Sequence, residues 1–167
     1  MKILKITYLC FLFFSCSNAQ KYNTINDIEI NNLKVRITLE SNLADILGVQ
    51  DSFSTEIDYA GDGESINVYY YNNSNFKFWE GLFQSFLIKD PVYEFNSVFK
   101  VGDSVSLIES HYHDSYLNFL LRESATDFDK ENFDFDKYYW LNVGGGDGIL
   151  IFSKQNIITG YRYSNGI

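Results

Sequence analysis

Between Ser65 and Ile88 the chain carries three runs of β-type residues, Ser65 to Tyr71, Asn75 to Trp79 and Leu82 to Ile88, separated only by "NNSN" and "EG". Asn, Ser and Gly are the residues of tight turns, so runs spaced this closely predict antiparallel hairpins, with "EG" closing the tightest of them between "FKFW" and "LFQSFLI". The same order returns near the C-terminus as "YYWLNV", "GILIF" and "IITGYRY". With 18% aromatic residues and a single proline, Pro91, the chain has the composition of a β-rich globular module rather than of a disordered linker.

Each set of strand runs follows a helical signal. "LKVRITL", Leu33 to Leu39, alternates as a half-buried strand or its lead-in. "SNLADILG" then offers Ser41 as a cap, Leu43, Ile46 and Leu47 at helical spacing, and Gly48 as a stop. In "VFKVGDSVSLIESHY", Asp103 takes the capping place ahead of Val105 and Ile108. Laying Val101 on Leu39 puts Val105 on Leu43 and Ile108 on Ile46, and laying Ile149 and Ile151 on Phe76 and Phe78 brings Ile157 opposite Leu82. Units of about 70 residues are too small to bury a sheet alone, so they are expected to stack on one another. The expectation is an α+β fold of two stacked repeats, residues 20–98 and 99–167, each a short helix packed on an antiparallel three- to four-stranded sheet. The helices are expected near Asn42 to Leu47 and Ser104 to Tyr112.

A short helix opened by "VGDSVSLI" and followed by three antiparallel strands, the last two joined as "LIFSKQNIITGYRY", resembles the half-unit of the β-lactamase inhibitor protein fold and of the small outer-membrane assembly lipoproteins related to it. The resemblance spans roughly Leu33 to Ile167. It implies that fold, an exported location and a habit of binding other proteins, and it assigns no functional residue.

Residues 1–19 read as an export signal: Lys2 and Lys5, an apolar run from Ile6 to Phe14, then small and polar residues. Two cleavage readings stand. Ser17 and Ala19 suit ordinary processing before Gln20, whereas "LFFSC" resembles a lipobox and marks Cys16 for lipidation. Both cysteines, Cys10 and Cys16, lie in this segment, so the remaining chain has no thiol for a disulfide, a metal or a nucleophile. Removing Lys2 and Lys5 leaves 11 basic against 22 acidic residues, a formal −11. Such a field repels nucleic acid and anionic lipid and draws basic partners, leaving a lipid anchor as the membrane connection.

The motif-like stretches carry little chemistry. Gly144, Gly145, Gly146, Asp147 and Gly148 lead into a strand, whereas a phosphate loop must lead into a helix with a nearby Lys, so the loop is a hairpin connection. "HYHD" places His111, His113 and Asp114 within reach of a metal, but a fourth ligand is missing. "DFDKENFDFD" imitates a calcium loop until Asn132 replaces its glycine and Tyr138 its bidentate Glu. No cofactor or metal is expected, and no enzyme, since neither histidine has the setting of a catalytic triad.

What remains is a surface. If Phe76, Phe78, Ile149 and Ile151 face the helices, counting by twos along the chain turns Tyr69, Tyr71, Lys77 and Trp79, with Tyr138, Trp140, Asn142 and Phe152, to the open side. Tyr69, Tyr71, Trp79, Tyr138, Trp140 and Phe152 are therefore the expected partner-binding residues, aromatic anchors of the kind that dominate interfaces. The alternative is that the leader or the 113–136 segment covers them. The expected function is an exported module of the periplasm or outer membrane that binds a protein, inhibitor-like or immunity-like. The alternatives are a structural outer-membrane lipoprotein supporting envelope assembly and a glycan-binding module.

Overall fold

The computed structural model describes residues 27–57, 63–112 and 118–165. Cys16 and the whole export segment lie outside the described residues, as do His113 and Asp114. The hairpins form where turn residues permit them. β4 (Ser65–Tyr71), β5 (Ser74–Trp79) and β6 (Leu82–Ile88) are joined by two-residue turns in which Asn72, Glu80 and Gly81 adopt φ of 51°, 50° and 75°. This left-handed backbone matches the twist of the flanking strands. β3 (Ser52–Ile57) precedes this set, and β9 (Asn118–Leu121), β10 (Lys137–Gly144), β11 (Asp147–Lys154) and β12 (Ile157–Asn165) form the other. The glycine loop is the β10 to β11 connection, with Gly144, Gly145 and Gly146 at φ of 90°, 67° and 87°.

All these strands belong to one eight-stranded sheet, in the order β3-β4-β5-β6-β12-β11-β10-β9. A second, four-stranded sheet is a ribbon of β1 (Glu29–Ile30), β2 (Leu33–Lys34), β7 (Glu94–Phe95) and β8 (Phe99–Lys100), ordered β2-β1-β7-β8. The fold is thus mostly antiparallel β, in two sheets with few helices. Two stacked repeats, each with a three- to four-stranded sheet of its own, are not confirmed: β6 pairs with β12, through Ile88 with Tyr161 and Leu87 with Arg162, so the strands of both halves share one sheet. Edge-to-edge joining satisfies backbone N–H and C=O groups that face-to-face stacking would leave unpaired.

Helices α1 (Leu43–Leu47) and α2 (Ser106–His111) fall where the periodicity predicts, and Gly48, at φ 85°, ends the first. Asp103 does not cap α2; its carboxylate accepts the Lys100 N–H at 3.0 Å. A third helix, α3 (Asp127–Asn132), occupies part of the acidic segment. The alternation of "LKVRITL" ends early, because Arg36 adopts φ 61° and turns the chain after β2.

The main core lies on what is here termed the inner face of the large sheet. Phe76, Phe83, Ile149, Ile151 and Tyr161 are inaccessible to solvent there, packed against Ile30, Leu33, Phe95 and Phe99 of the ribbon and against Leu43 and Ile108 of the helices. Tyr161 joins the layers. Its ring meets Phe95 and Phe99 edge-on at 5.9 and 5.4 Å, and its hydroxyl donates to the Tyr93 carbonyl at 2.7 Å. The ribbon is locked by matched bonds: the Glu29 N–H donates to Asn96 Oδ1 and the Glu94 N–H to Asn31 Oδ1, each at 2.7 Å.

Burial of these phenols has a consequence at high pH. Desolvation pushes Tyr93 and Tyr112 up to about 12 from 10.0, and Tyr161 well above 10.0. The fold holds the neutral phenol more tightly than the unfolded chain does. Its stabilisation is therefore fully present below pH 10.0 and is lost as pH rises toward about 12. Urea midpoints measured against pH should begin to fall near the unfolded tyrosine value, and substituting Tyr112 by Phe should flatten that fall.

Candidate binding face

The opposite, outer face of the sheet is divided in two. Over β9 to β12 it is covered by the chain itself. After a 3-10 turn at Arg122–Ser124, α3 and the residues that follow fold across the strands, and Ala125, Phe133 and Phe135 form a second core with Leu87, Tyr138, Leu150 and Phe152. Phe133 stacks on Phe152 with ring centroids 4.1 Å apart. Gly160, opposite Phe152, leaves room for this stack, since a Cβ there would run into the Phe133 ring. Asp129, 2% exposed, holds the segment down: its carboxylate accepts from Arg162 Nε at 2.6 Å and Nη2 at 3.1 Å. Arg122 stitches the same segment from the other side, donating to the carbonyls of Phe135 and Lys130 at 2.9 and 3.1 Å. Asp129 is thus paired with an arginine in the folded chain.

Over β3 to β6 no described segment crosses the outer face. Register puts Glu56, Ile66, Tyr70, Asn75, Lys77, Trp79 and Ser85 on it. Lys77 donates to Glu56 at 2.6 Å, Tyr70 shares a hydrogen bond with Ser54 at 3.3 Å, and Trp79 donates its indole N–H to Glu64. Where this bare half meets the flank of α3 there is a cavity of about 330 Å³, bounded by Tyr70, Asn75, Lys77, Ser85, Phe128 and Arg162 among others. Asn75 lines it, but its Oδ1 atom, which has no hydrogen-bond partner, is shut off from solvent.

No family model, curated protein or solved structure matches this chain.

The expected binding residues separate into three groups. Tyr69 and Tyr71 are corrected to the inner face: Tyr69 stands directly opposite Phe76 and Tyr71 opposite Ser74. Directly opposed residues share a face, and a two-residue turn makes odd positions of β4 face even positions of β5, so counting by twos fails across it. Tyr69 meets the Phe78 ring edge-on and donates to Glu40, and burial, then that bond, pushes it up to about 12. Tyr71 is buried and donates to the Gly48 carbonyl at 3.2 Å. Tyr138 and Phe152 are on the outer face as expected, but the 122–136 segment buries them, to 5% and 0% exposure. Trp140 is half-buried against the same cluster, its ring over Gly148. Trp79 alone of the six is openly exposed, at 41%. Tyr70, Asn75, Glu56 and Phe128 were not among the expected residues; even-position parity in β4 was the available signal for Tyr70.

Proposed function

We propose that this chain is an exported binding module of the cell envelope, anchored through an acylated Cys16, which docks a protein partner on the bare half of its outer sheet face. The observation that carries this reading is the division of that face. The chain spends an entire helical segment covering the aromatic residues of β10 and β11, yet no described segment covers the corresponding surface of β4 and β5. Trp79, beside Ile66 and one register step from Lys77, has the make-up of an interface anchor with a polar rim. The acidic balance favours a basic partner through faster encounter. Among the described residues no helix is long and apolar enough to cross a membrane.

The proposal includes a tandem organisation, residues 20–98 and 99–167. Two features support it: the palindromic strand order and the reciprocal Asn31 and Asn96 bonds of the ribbon. In this reading each unit contributes a short helix and four antiparallel strands of the large sheet, and the boundary between the units falls within the β7–β8 hairpin.

The two tryptophans provide the test. Trp79→Ala should lower retention of the envelope partner by tenfold or more while leaving the thermal midpoint unchanged, because truncating an interface Trp commonly costs about 2 kcal/mol and each decade about 1.4. Trp140→Ala should do the reverse, lowering the midpoint and sparing retention. Equal retention by wild type and Trp79→Ala in quantitative capture from envelope extract would exclude this face.

A further inference from the structure

The large sheet ends at β3, and among the described residues nothing pairs with the far side of that strand. Proteins guard an exposed edge with lysine, proline, a bulge or a very short strand, because free N–H and C=O groups invite another strand. β3 carries none of these guards. It is six residues long, "SFSTEI", and its register with β4 runs unbroken from Ser52 opposite Tyr70 to Ile57 opposite Ser65. Its one charged side chain, Glu56, stands on the outer face and is neutralised by Lys77 at 2.6 Å. On the inner face, with Tyr69, are Phe53 and Ile57, 49% and 50% exposed, on either side of Thr55.

This pattern is complementary to itself. A second copy laid antiparallel along the edge is related to the first by a two-fold axis perpendicular to the sheet, which keeps both inner faces on one side and sets odd residues against odd. Centring the axis on Thr55 places Phe53 opposite the second copy's Ile57, twice over, with Thr55 opposite Thr55 and Ser54 opposite Glu56. Moving it to Ser54 sets Phe53 against Thr55 and Ile57 against Asp51; moving it to Glu56 sets that carboxylate against itself. Aromatic against β-branched is a favourable cross-strand pair and like charges directly opposite are unfavourable, so of the three registers the one on Thr55 satisfies both faces. We propose that β3 is a homodimer edge, through which two copies of this chain join their sheets with Thr55 on the two-fold axis. The contact is separate from Trp79, which stands on β5, so it goes beyond the docking reading and does not depend on it. A ladder of six residues is short against the roughly 1,200 Å² that stable interfaces bury, so the association is weak, with Kd on the order of 10 µM.

The mature chain carrying Cys16→Ala, which has no other thiol, should sediment at equilibrium with a mass that rises from one chain to two between about 1 and 100 µM. Added salt should strengthen the dimer, because it screens the repulsion between two copies of formal −11 and leaves the backbone and apolar pairs intact. Thr55→Cys should close a disulfide between copies under mild oxidation, since directly opposed residues lie about 4.5 to 5.5 Å apart, within disulfide reach. Ser54→Cys should close one at least tenfold more slowly, its two copies being about 8 Å apart in this register. Ile57→Glu should weaken the dimer at least tenfold while leaving the thermal midpoint of the dilute monomer unchanged. Trp79→Ala should dimerise like wild type. The inference is overturned if the chain stays monomeric at about 100 µM, if association weakens with salt, if Ser54→Cys crosslinks as fast as Thr55→Cys, if Ile57→Glu dimerises like wild type, or if Trp79→Ala abolishes the dimer, which would move the contact to the outer face. Loss of partner capture in Trp79→Ala with the dimer intact bears on the docking reading alone.

Discussion

Replacing Tyr161 by alanine is expected to destabilise the protein by about 3 to 5 kcal/mol, the range for deleting a fully buried aromatic side chain. The ring is inaccessible to solvent and sits where the large sheet meets the ribbon, against Phe86, Phe95 and Phe99. Its loss leaves a void between two layers that cannot collapse without moving both. Tyr161→Phe divides the effect. It preserves the packing and removes only the donor to the Tyr93 carbonyl, so it should cost about 1 to 2 kcal/mol. Equilibrium urea unfolding gives both numbers. Hydrogen exchange should show faster opening of the ribbon amides around Phe95 and Phe99 in the alanine variant than in the phenylalanine one.

Asp129→Ala should be nearly as costly, at about 3 kcal/mol, because it strands the guanidinium of Arg162 without its carboxylate. For a chain of this size that corresponds to a fall in thermal midpoint of roughly 6 to 12 °C. The side chain of Arg162 is 16% exposed, so some of the penalty is relieved by water at the cavity mouth. Substituting both partners, Asp129→Leu with Arg162→Met, should recover most of the loss, since an apolar pair can replace a buried ion pair at little cost. Recovery would show that the bond matters as a matched pair; a double variant as unstable as Asp129→Ala would assign the effect to the first turn of α3, where the Thr126 hydroxyl donates to the Asp129 carboxylate at 2.6 Å.

These two residues also mark where sequence reasoning succeeded and where it stopped. The hairpins at Asn72 and Gly81, the helices at Leu43 and Ile108 and the glycine turn after Val143 were legible, because each depends on a few adjacent residues with strong local preferences. The face of Tyr69 was not legible from chain parity alone: it depends on the exact length of the turn at Asn72, and one residue more or less exchanges the two sides of the strand. The ribbon was missed for a different reason. "EINNLK" and "EFNSVFK" are similar hairpins whose Asn31, Asn32, Asn96 and Ser97 all take positive φ, yet strands of two residues leave almost no periodic pattern to detect. Asp129 looked like one more solvated acid in an acidic run. Only the long-range pairing with Arg162 distinguishes it. The cavity was out of reach entirely, since Glu56, Asn75, Phe128 and Arg162 come from four separate elements and share no spacing.

The junction of β6 with β12 has a meaning in time as well as in space. Within β3 to β6, and again within β9 to β12, each strand pairs with a sequence neighbour, so each group can close locally, the α3 segment being the long connection among them. The junction joins Ile88 to Tyr161, and it lies between groups already formed. Loop closure over such a span is slow compared with hairpin closure. Two half-sheets with open edges are therefore expected to precede the single sheet, and the pairing of Ile88 with Tyr161 is expected to be among the last to form, which amide exchange pulsed during refolding would show.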